Sequence, residues 1–275
     1  MKNKCKKVSW VVVFTLVVLA FVGQAMAEQL VIMGSTTVLP VAQKIAEAYM
    51  QERNVSVSLS GGGSGNGIKA IIDGTTDIAM ASRFIKDKEA ELACTKKVYP
   101  VPFRIALDCI IPVVHPANGV ADLTLAQLQG IYTGKITNWK EVGGKDEKIV
   151  VVSRDSSSGT FEVWGELVLK EEKVAPTAIT VASNGAMVQT VGQTTSAIGY
   201  IGLGYLNNTL KQVKVEGVLG SNATTLSGQY AISRGLFLFT NGWPEGDKLD
   251  FINYVFSAKG QKLAQDAGSV PVLVP

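Results

Sequence analysis

The sequence predicts an α/β protein, because stretches with the apolar spacing of a strand alternate along the chain with stretches at helical spacing. No internal repeat and no low-complexity tract interrupts this alternation. Two long apolar segments, residues 103–114 and 230–239, flank a middle region. Such a pair is expected of a protein that has two lobes joined by paired crossovers.

The first 27 residues have the three parts of a secretory signal peptide. Four lysines lie within residues 2–7, residues 10–22 are an apolar core, and Ala25-Met26-Ala27 fits a cleavage site. The alternative is a membrane anchor, but the apolar core is shorter than the roughly 20 residues that a membrane span needs. We therefore expect residues 1–27 to be removed and the mature protein to be exported.

Removal of the signal peptide changes the charge balance. The full chain has 26 basic and 23 acidic residues, and the signal peptide takes four lysines and no acidic residue with it. The mature chain then has 22 basic against 23 acidic residues, a net charge of about −1. A nucleic-acid partner is not expected, because it would require a dense basic face.

The mature chain keeps two cysteines, Cys94 and Cys109. In an oxidising compartment they could form a disulfide, closing a loop of about 15 residues and stabilising the fold by roughly 3 kcal/mol. The alternative is two buried free thiols, especially for Cys109, which lies in an apolar run. We expect the disulfide.

The first third of the chain follows a strand, loop and helix order. The predicted elements are a strand at 30–33, a turn at 34–37, a helix from Val38, a strand at 55–59, a glycine-rich loop at 61–67, a short helix at 68–72 and a strand at 76–83. Pro40 is compatible with the first turn of the first helix.

The same order continues in the rest of the chain. The predicted elements are a strand at 103–114, a helix at 123–132, a strand at 149–152, a hydroxyl-rich loop at 153–160, a helix from Phe161, a strand at 230–239 and an amphipathic closing helix at 248–265. The first lobe is expected to contain residues 28–112 and 236–275, and the second lobe residues 113–235.

Three loops, at residues 34–37, 61–67 and 154–160, have the composition of an anion site. Each follows a strand and precedes a helix, and helix N-termini offer unpaired N–H groups to oxyanions. Serine and threonine add hydroxyl donors, and Arg154 adds a guanidinium that can donate two hydrogen bonds to one oxyanion. The alternative is ordinary helix capping, which explains one such loop more readily than three.

Motifs for enzymatic chemistry are missing from the sequence. The glycine-rich loop is not a Walker motif, because Ile68 and Lys69 stand where lysine and a hydroxyl residue are required. The single histidine, His115, precedes a proline at the end of an apolar run, and no G-x-S-x-G occurs. No cluster has metal-ligand spacing. We expect no enzyme, no cofactor and no metal, the alternative being a secreted phosphoesterase.

Asp77 is an anomaly, since a carboxylate should repel an anion. It either caps a loop or helix, or it accepts a hydrogen bond from a protonated ligand. Phosphate carries a proton at neutral pH and sulfate does not, so Asp77 would favour phosphate.

Five segments together resemble the periplasmic phosphate-binding subunit of bacterial phosphate ABC transporters. They are GSTTVLP at 34–40, SGGGSGNGIKAI at 60–71, GTTDIAMASR at 74–83, IYTGKITNWKEVGG at 131–144 and SRDSSSGTF at 153–161. The resemblance implies a type II periplasmic binding protein fold, in which phosphate lies in a cleft between two α/β lobes. It also implies a periplasmic location, a permease as partner, a monomeric state and binding without chemistry.

Matching the motifs residue by residue implies a set of phosphate ligands. The set is Ser35, Thr36, Thr37, Val38, Ser64, Asp77, Arg83, Arg154, Ser158, Gly159 and Thr160. Two roles stay open: Ser35 or the Val38 amide contributes from the first loop, and Arg83 either touches the ligand or pairs with Asp77. Leu39 stands where the family often has an aromatic residue. The remaining alternatives are another tetrahedral oxyanion (sulfate, molybdate or tungstate) and a secreted phosphate-binding protein without a role in transport.

Overall fold

The computed structural model describes residues 29–273. The predicted signal peptide therefore lies outside the described residues. Between residues 29 and 273, no helix combines the length and the apolar character needed to cross a membrane.

Most strands belong to one curled sheet. The strands are β1 (Gln29–Gly34), β2 (Ser56–Gly61), β3 (Ile78–Ala81), β4 (Pro100–Val114), β5 (Asp122–Leu123), β6 (Val150–Arg154), β7 (Ile179–Val181), β8 (Ala197–Gly202), β9 (Lys211–Gln212), β10 (Lys214–Val215), β11 (Ser233–Asn241) and β12 (Val270–Pro271). The order along the sheet is β2-β1-β3-β11-β4-β8-β6-β7, with β9 and β12 also paired to β4, while β5 pairs with β10. Strands β1, β2 and β3 are parallel to one another, and so are β6, β7 and β8.

Helices connect these strands. They are α1 (Leu39–Glu52), α2 (Ser64–Ile72), α3 (Asp87–Thr95), α4 (Leu125–Tyr132), α5 (Gly159–Trp164), α6 (Asn184–Gly192), α7 (Asn222–Leu226), α8 (Gly246–Phe256) and α9 (Ala258–Asp266). One turn of π-helix, Gly165–Leu169, continues α5. Short 3-10 turns occur at Trp139–Val142 and Leu203–Tyr205.

Strands β4 and β11 join two separate hydrophobic cores. Nine of the first ten residues of β4 pair with β11, with a register shift at Ile105, and the last five pair with β8. One core is built from residues between 30 and 106 and between 236 and 267, and the other from residues between 109 and 232. The chain therefore forms two α/β lobes, as predicted. The proposed boundaries at 112/113 and 235/236 fall on these two strands and stay a prediction.

The C-terminal helices return to the first lobe. Tyr49 of α1 packs edge-on against Phe251 and Tyr254 of α8, with ring centroids 5.3 Å apart in both pairs. The predicted single closing helix is wrong in detail, because Ser257 has an extended backbone conformation and caps a new helix, α9. In the second lobe, Trp164 stacks on Tyr200 at 4.4 Å.

The loop after β1 approaches α2 and β3 very closely. A Cβ on Gly34 would lie 2.2 Å from the carbonyl oxygen of Met80, and one on Gly67 would lie 2.7 Å from the Gly34 Cα. Helix α2 begins at Ser64, four residues earlier than predicted, directly after Gly63 at φ 100°. This early start places the Ser64 side chain in the first helical turn.

The predicted disulfide between Cys94 and Cys109 is wrong, since both thiols are free. Cys94 is exposed on α3, whereas Cys109 is buried in the core of the second lobe. The expectation of a disulfide rests on the oxidising compartment of an exported protein, and the compartment does not determine whether two cysteines lie within bonding distance.

Candidate functional site

The loop between β1 and α1 directs two threonine hydroxyls toward the second lobe. Ser35 folds back on its own loop, because its Oγ accepts the N–H groups of Thr37 at 3.1 Å and Val38 at 3.4 Å. Thr36 Oγ1 and Thr37 Oγ1 instead accept from Asn184 Nδ2 at 3.2 and 3.0 Å. Ser35 and Val38 therefore shape the loop, and Thr36 and Thr37 contact the opposite lobe.

Two further hydroxyls come from the first lobe. Ser64 opens α2, and Ser82 directly follows β3. Their Oγ atoms lie 3.2 Å apart, and Ser82 N donates to Ser64 Oγ at 3.0 Å. Both side chains are buried. Their position follows from the parallel register of β1, β2 and β3, which brings the carboxyl ends of these strands to one edge of the sheet.

Arg154 lies at the carboxyl end of β6 and is almost fully buried. Its Nε donates to Val181 O at 3.2 Å and its Nη2 to Ala182 O at 3.0 Å, while Nη1 is buried without a hydrogen-bond partner. Burial lowers the pKa of the Arg154 guanidinium from its ordinary value of 12.5, but the group remains a cation at neutral pH. Among the described residues, no carboxylate accepts a hydrogen bond from it, so its charge is available to an anion.

The first turn of α5 completes the second lobe's contribution. Ser158 caps the helix by accepting the N–H of Phe161 at 3.2 Å, and Gly159 and Thr160 are buried directly behind it. Thr160 Oγ1 lies 3.0 Å from Thr37 Oγ1 across the lobes. A Cβ on Gly159 would lie 2.3 Å from Ser64 Oγ, so only glycine allows the helix to come this close.

The glycine-rich loop also contacts the second lobe. Gly65 N donates to Ser157 O at 3.0 Å, and Ser157 Oγ donates to Gly62 O at 3.2 Å. A Cβ on Gly63 would collide with Ser157. The three loops singled out in the sequence therefore meet at one place between the lobes.

Asp77 does not belong to this constellation, which corrects its predicted role. Asp77 precedes β3, whereas Ser82 follows this strand. The four residues of β3, which span roughly 13 Å, therefore separate Asp77 from the ligand loops. Asp77 Oδ2 accepts the N–H of Val31 at 2.9 Å, and Oδ1 lies 4.0 Å from Lys248 Nζ. The carboxylate holds the start of the β1–β3 ladder and is partly exposed.

Arg83 lies at the rim of the site and pairs with glutamates rather than with Asp77. Its Nη1 and Nη2 donate to the carboxylate of Glu89 at 2.8 and 2.7 Å. Its Nε forms an ion pair with Glu162 of α5, and Lys86 Nζ lies 3.0 Å from the same oxygen of Glu162. Arg83 thus bridges the two lobes, and the alternative that it pairs with Asp77 is wrong.

Four further residues complete the site and were missed at the level of sequence: Asp108, Asn184, Tyr205 and Arg234. Tyr205 OH donates to Thr36 O at 2.5 Å, and burial raises the pKa of this phenol to about 12, which keeps it a donor. Asn184 Oδ1 accepts Gly202 N at 3.3 Å. A usable signal existed for the other two, because Asp108 and Arg234 are charges inside the two long apolar runs.

The arrangement is suited to holding an anion. Serine and threonine hydroxyls from both lobes meet between the lobes, and one of them, Thr36 Oγ1, accepts from the buried Arg154 guanidinium at 3.4 Å. An oxyanion that leaves water needs many such donors at once. A groove of about 950 Å³ beside this constellation shares Arg154 with it and is otherwise lined by residues such as Lys86, Glu162 and Lys173. In residues 29–273, no group of three or more histidine, cysteine and carboxylate side chains could hold a metal ion.

Comparisons with known proteins agree with this geometry. A family model described as the PBP superfamily domain matches residues 22–259. The phosphate-binding protein PstS of Borreliella burgdorferi is 32% identical over 86% of this chain and 87% of its own length. PstS of Bacillus subtilis is 32% identical over 88% of this chain and 80% of its own length.

Solved structures show the same fold. A phosphate ABC transporter substrate-binding protein from Clostridium perfringens, solved with bound phosphate, superposes with a TM-score of 0.84 at 35% identity and covers 89% of this chain and 100% of its own. An ABC-type phosphate transport receptor from Vibrio cholerae gives a TM-score of 0.72 at 34% identity, over 90% of this chain and 100% of its own. The chain therefore belongs to the PBP superfamily and, within it, to the PstS family of phosphate-binding proteins, which bind a solute and are not enzymes.

Proposed function

We propose that this protein captures inorganic phosphate between its two lobes and delivers it to the permease of an ABC transporter. The observation that carries the proposal is Arg154, a buried cation whose Nη1 has no hydrogen-bond partner among residues 29–273. Thr36 Oγ1 accepts from Nη2 of the same guanidinium at 3.4 Å, and the hydroxyls of the neighbouring Thr37 and of Thr160 lie 3.0 Å apart. The relative from C. perfringens, which was solved with bound phosphate, supports this ligand.

The proposed ligand set is narrower than the one implied by the motifs. It comprises Thr36, Thr37, Ser64, Arg154, Ser158, Gly159 and Thr160. Ser35 and Val38 act through the shape of their loop, Arg83 acts through the contact between the lobes, and Asp77 takes no part.

Binding requires the lobes to separate and close again without any chemical step. Donors from both lobes reach the anion only when the lobes are together, so phosphate shifts the population toward the closed form. Hydrogen bonds and charge attraction in the site offset the hydration that the anion loses on binding. The closed form then presents both lobes to a transmembrane permease.

Export is part of the proposal. Residues 1–27 act as a cleaved signal peptide, and the mature protein works as a monomer in the periplasm. This location fits the similar proteins that are named for ABC-type phosphate transport, and it brings the binding protein to the face of the membrane from which phosphate is taken up.

Titration calorimetry of the mature protein with phosphate, arsenate and sulfate tests the proposal. We expect phosphate to bind tightly and arsenate to bind appreciably, since arsenate is a tetrahedral oxyanion of the same charge and is only slightly larger. Arg154→Met should lower phosphate affinity at least about a hundredfold, because two charge-assisted hydrogen bonds contribute about 1.5–3 kcal/mol each. Arg104→Met, an exposed position on β4, is the matched control and should bind like the wild type. No heat of binding with phosphate would overturn the proposal.

Sulfate is a second candidate ligand, because Asp77 is not placed to repel a fully ionised anion in the site. The argument against a fully ionised oxyanion relied on Asp77 facing the ligand, and this carboxylate lies at the other end of β3. A preference for sulfate in the same titrations would identify that alternative. Loss of phosphate uptake on deletion of the gene would separate a transport role from binding alone.

A further inference from the structure

Arg234 is a buried cation at the junction of the two lobes. It lies on β11, opposite Asp108 of β4, within the strands that both lobes share. The side chains of Arg234 and Asp108 are 3% and 2% exposed. A charged pair this deep in an apolar strand ladder is costly, because both ions lose their hydration. Arg234 lies beside the ligand loops, so its positive charge is next to the proposed phosphate site.

The donors of Arg234 divide into two groups. Nε and Nη2 donate to Asp108 Oδ2 at 3.1 and 2.8 Å, which fixes the plane of the guanidinium. Three other hydrogen bonds go to hydroxyls: Nη1 donates to Thr160 Oγ1 at 2.9 Å and to Ser82 Oγ at 3.3 Å, and Nη2 donates to Thr37 Oγ1 at 3.3 Å. Nη1 also lies 3.5 Å from the backbone oxygen of Ser82. Arg234 therefore reaches hydroxyls from both lobes.

Two of those hydroxyls, Thr37 and Thr160, are in the proposed phosphate-binding set. A hydroxyl that accepts from Arg234 still has its own proton to donate, so an anion at these threonines meets donors that the guanidinium polarises. Nη1 of Arg234 lies 2.9 Å from Thr160 Oγ1, and Nη2 lies 3.3 Å from Thr37 Oγ1. An anion oxygen that replaces either hydroxyl as the acceptor is therefore also within hydrogen-bonding distance of Arg234.

We propose that Arg234 is a second guanidinium of the ligand site, which donates directly to the bound oxyanion from the junction of the lobes, and that Asp108 is the positioning residue that orients it. This inference rests on the proposed function. The anion then lies between two cations, with Arg154 reaching it from the second lobe and Arg234 from the shared strands. A dianion gains more than a monoanion from such a pair.

A crystal structure of the wild-type protein with phosphate tests the contact directly. We expect Nη1 or Nη2 of Arg234 within about 3.2 Å of a phosphate oxygen. A structure in which only the hydroxyls of Thr37, Ser82 and Thr160 reach the phosphate, with Arg234 beyond hydrogen-bonding distance, would overturn the inference and leave the proposed function standing.

Calorimetry with phosphate gives the second test. Arg234→Met should lower the affinity at least about thirtyfold, and Arg234→Lys, which keeps the charge, should recover part of the loss. Arg104→Met on the same strand ladder is the control and should change nothing. Equal affinity of Arg234→Met and the wild type would refute the inference, whereas a wild-type protein that binds no phosphate would refute the proposed function and the inference with it.

Arg234→Met alone leaves Asp108 buried without a counter-charge, which destabilises the fold. The double variant Arg234→Met/Asp108→Asn removes both charges and keeps a hydrogen-bonding side chain for the Leu203 amide. Its unfolding midpoint without ligand shows whether it folds. We expect a folded protein whose midpoint no longer rises with phosphate as the wild-type midpoint does. A full phosphate-induced rise in this variant would contradict the inference.

Discussion

Thr37 Oγ1 of the first lobe lies 3.0 Å from Thr160 Oγ1 of the second lobe. Each hydroxyl also accepts a hydrogen bond from Arg234. The contact therefore joins the start of α1, the start of α5 and the strands between the lobes. Side chains that are more than a hundred residues apart in the chain therefore meet at one point between the lobes. Substitutions near this point are expected to change phosphate binding.

Gly159→Ala should weaken phosphate binding by about tenfold or more without unfolding the protein. A Cβ at this position would lie 2.3 Å from Ser64 Oγ and 2.9 Å from Ser82 Oγ, both on the opposite lobe, so the lobes could not close fully. Gly165→Ala is the control, because a Cβ there meets no atom within 4 Å. Calorimetry and unfolding midpoints of both variants give the comparison, and equal affinity of the two would contradict the expected steric block.

Glu162→Gln should shorten the lifetime of the phosphate complex. Glu162 of the second lobe pairs with Arg83 and Lys86 of the first lobe, so this ion pair exists only when the lobes are together. An ion pair worth about 1 kcal/mol corresponds to a roughly fivefold faster release of the ligand. Stopped-flow dissociation measures the rate.

The matched control is Glu172→Gln, since Glu172 pairs with Lys135 within the second lobe. We expect its release rate to equal that of the wild type. A Glu162 variant that releases phosphate no faster than this control would show that the ion pair does not hold the lobes together.

Asp77→Asn should leave the ratio of phosphate to sulfate affinity unchanged. The carboxylate accepts the N–H of Val31 at the end of β3 remote from the ligand loops. Its amide isostere keeps an acceptor for that bond, so the stability should change by less than about 1 kcal/mol. Parallel titrations with both anions measure the ratio, and a shift toward sulfate would restore Asp77 to the recognition of the phosphate proton.

Stability should fall with alkaline pH because of Cys109. Burial raises the pKa of this thiol from 9.0 to about 12. Above pH 9 the unfolded chain loses this proton while the folded protein keeps it. The unfolded state then binds fewer protons, and the free energy of unfolding drops by about 1.4 kcal/mol per pH unit until the folded thiol also ionises. Below pH 9 the thiol is neutral in both states and adds no slope.

Urea unfolding between about pH 8 and 9.5 checks this slope, because buried phenols such as Tyr200 and Tyr205, with pKa values raised to about 12, add their own loss mainly as the unfolded chain approaches pH 10. Cys109→Ala should make the curve less steep in this range. Cys94→Ala, at an exposed position, should leave the slope as it is. An identical slope in wild type and Cys109→Ala would rule out the buried thiol as its origin.

Much of the site could be predicted from local sequence. A strand followed by serine, threonine or glycine and then a helix indicates a loop at the carboxyl end of a strand, and the loops at 34–37, 61–67 and 154–160 are all found there. Arg154 was predicted in the same way. The PstS relatives confirm the predicted family, including the expectation that the chain is not an enzyme.

The residues that sequence reasoning misplaced or missed show that separation along the chain does not report distance in the folded protein. Asp77 and Ser82 are close in sequence, but β3 is extended and places them at opposite ends of the strand. Asp108 and Arg234 are far apart in sequence, and the antiparallel register of β4 and β11 brings them together. A disulfide between Cys94 and Cys109 is expected from an oxidising compartment, but one thiol is exposed and the other is buried.

The sequence by itself determined the alternation of strands and helices and the hydroxyl-rich helix starts, because periodicity and capping depend on residues a few positions apart. Only the tertiary structure decided which charges share the space between the lobes. That choice depends on strand register and on the long β4–β11 ladder, and these bring Arg234, Thr37 and Thr160 within hydrogen-bonding distance through contacts that no local pattern encodes.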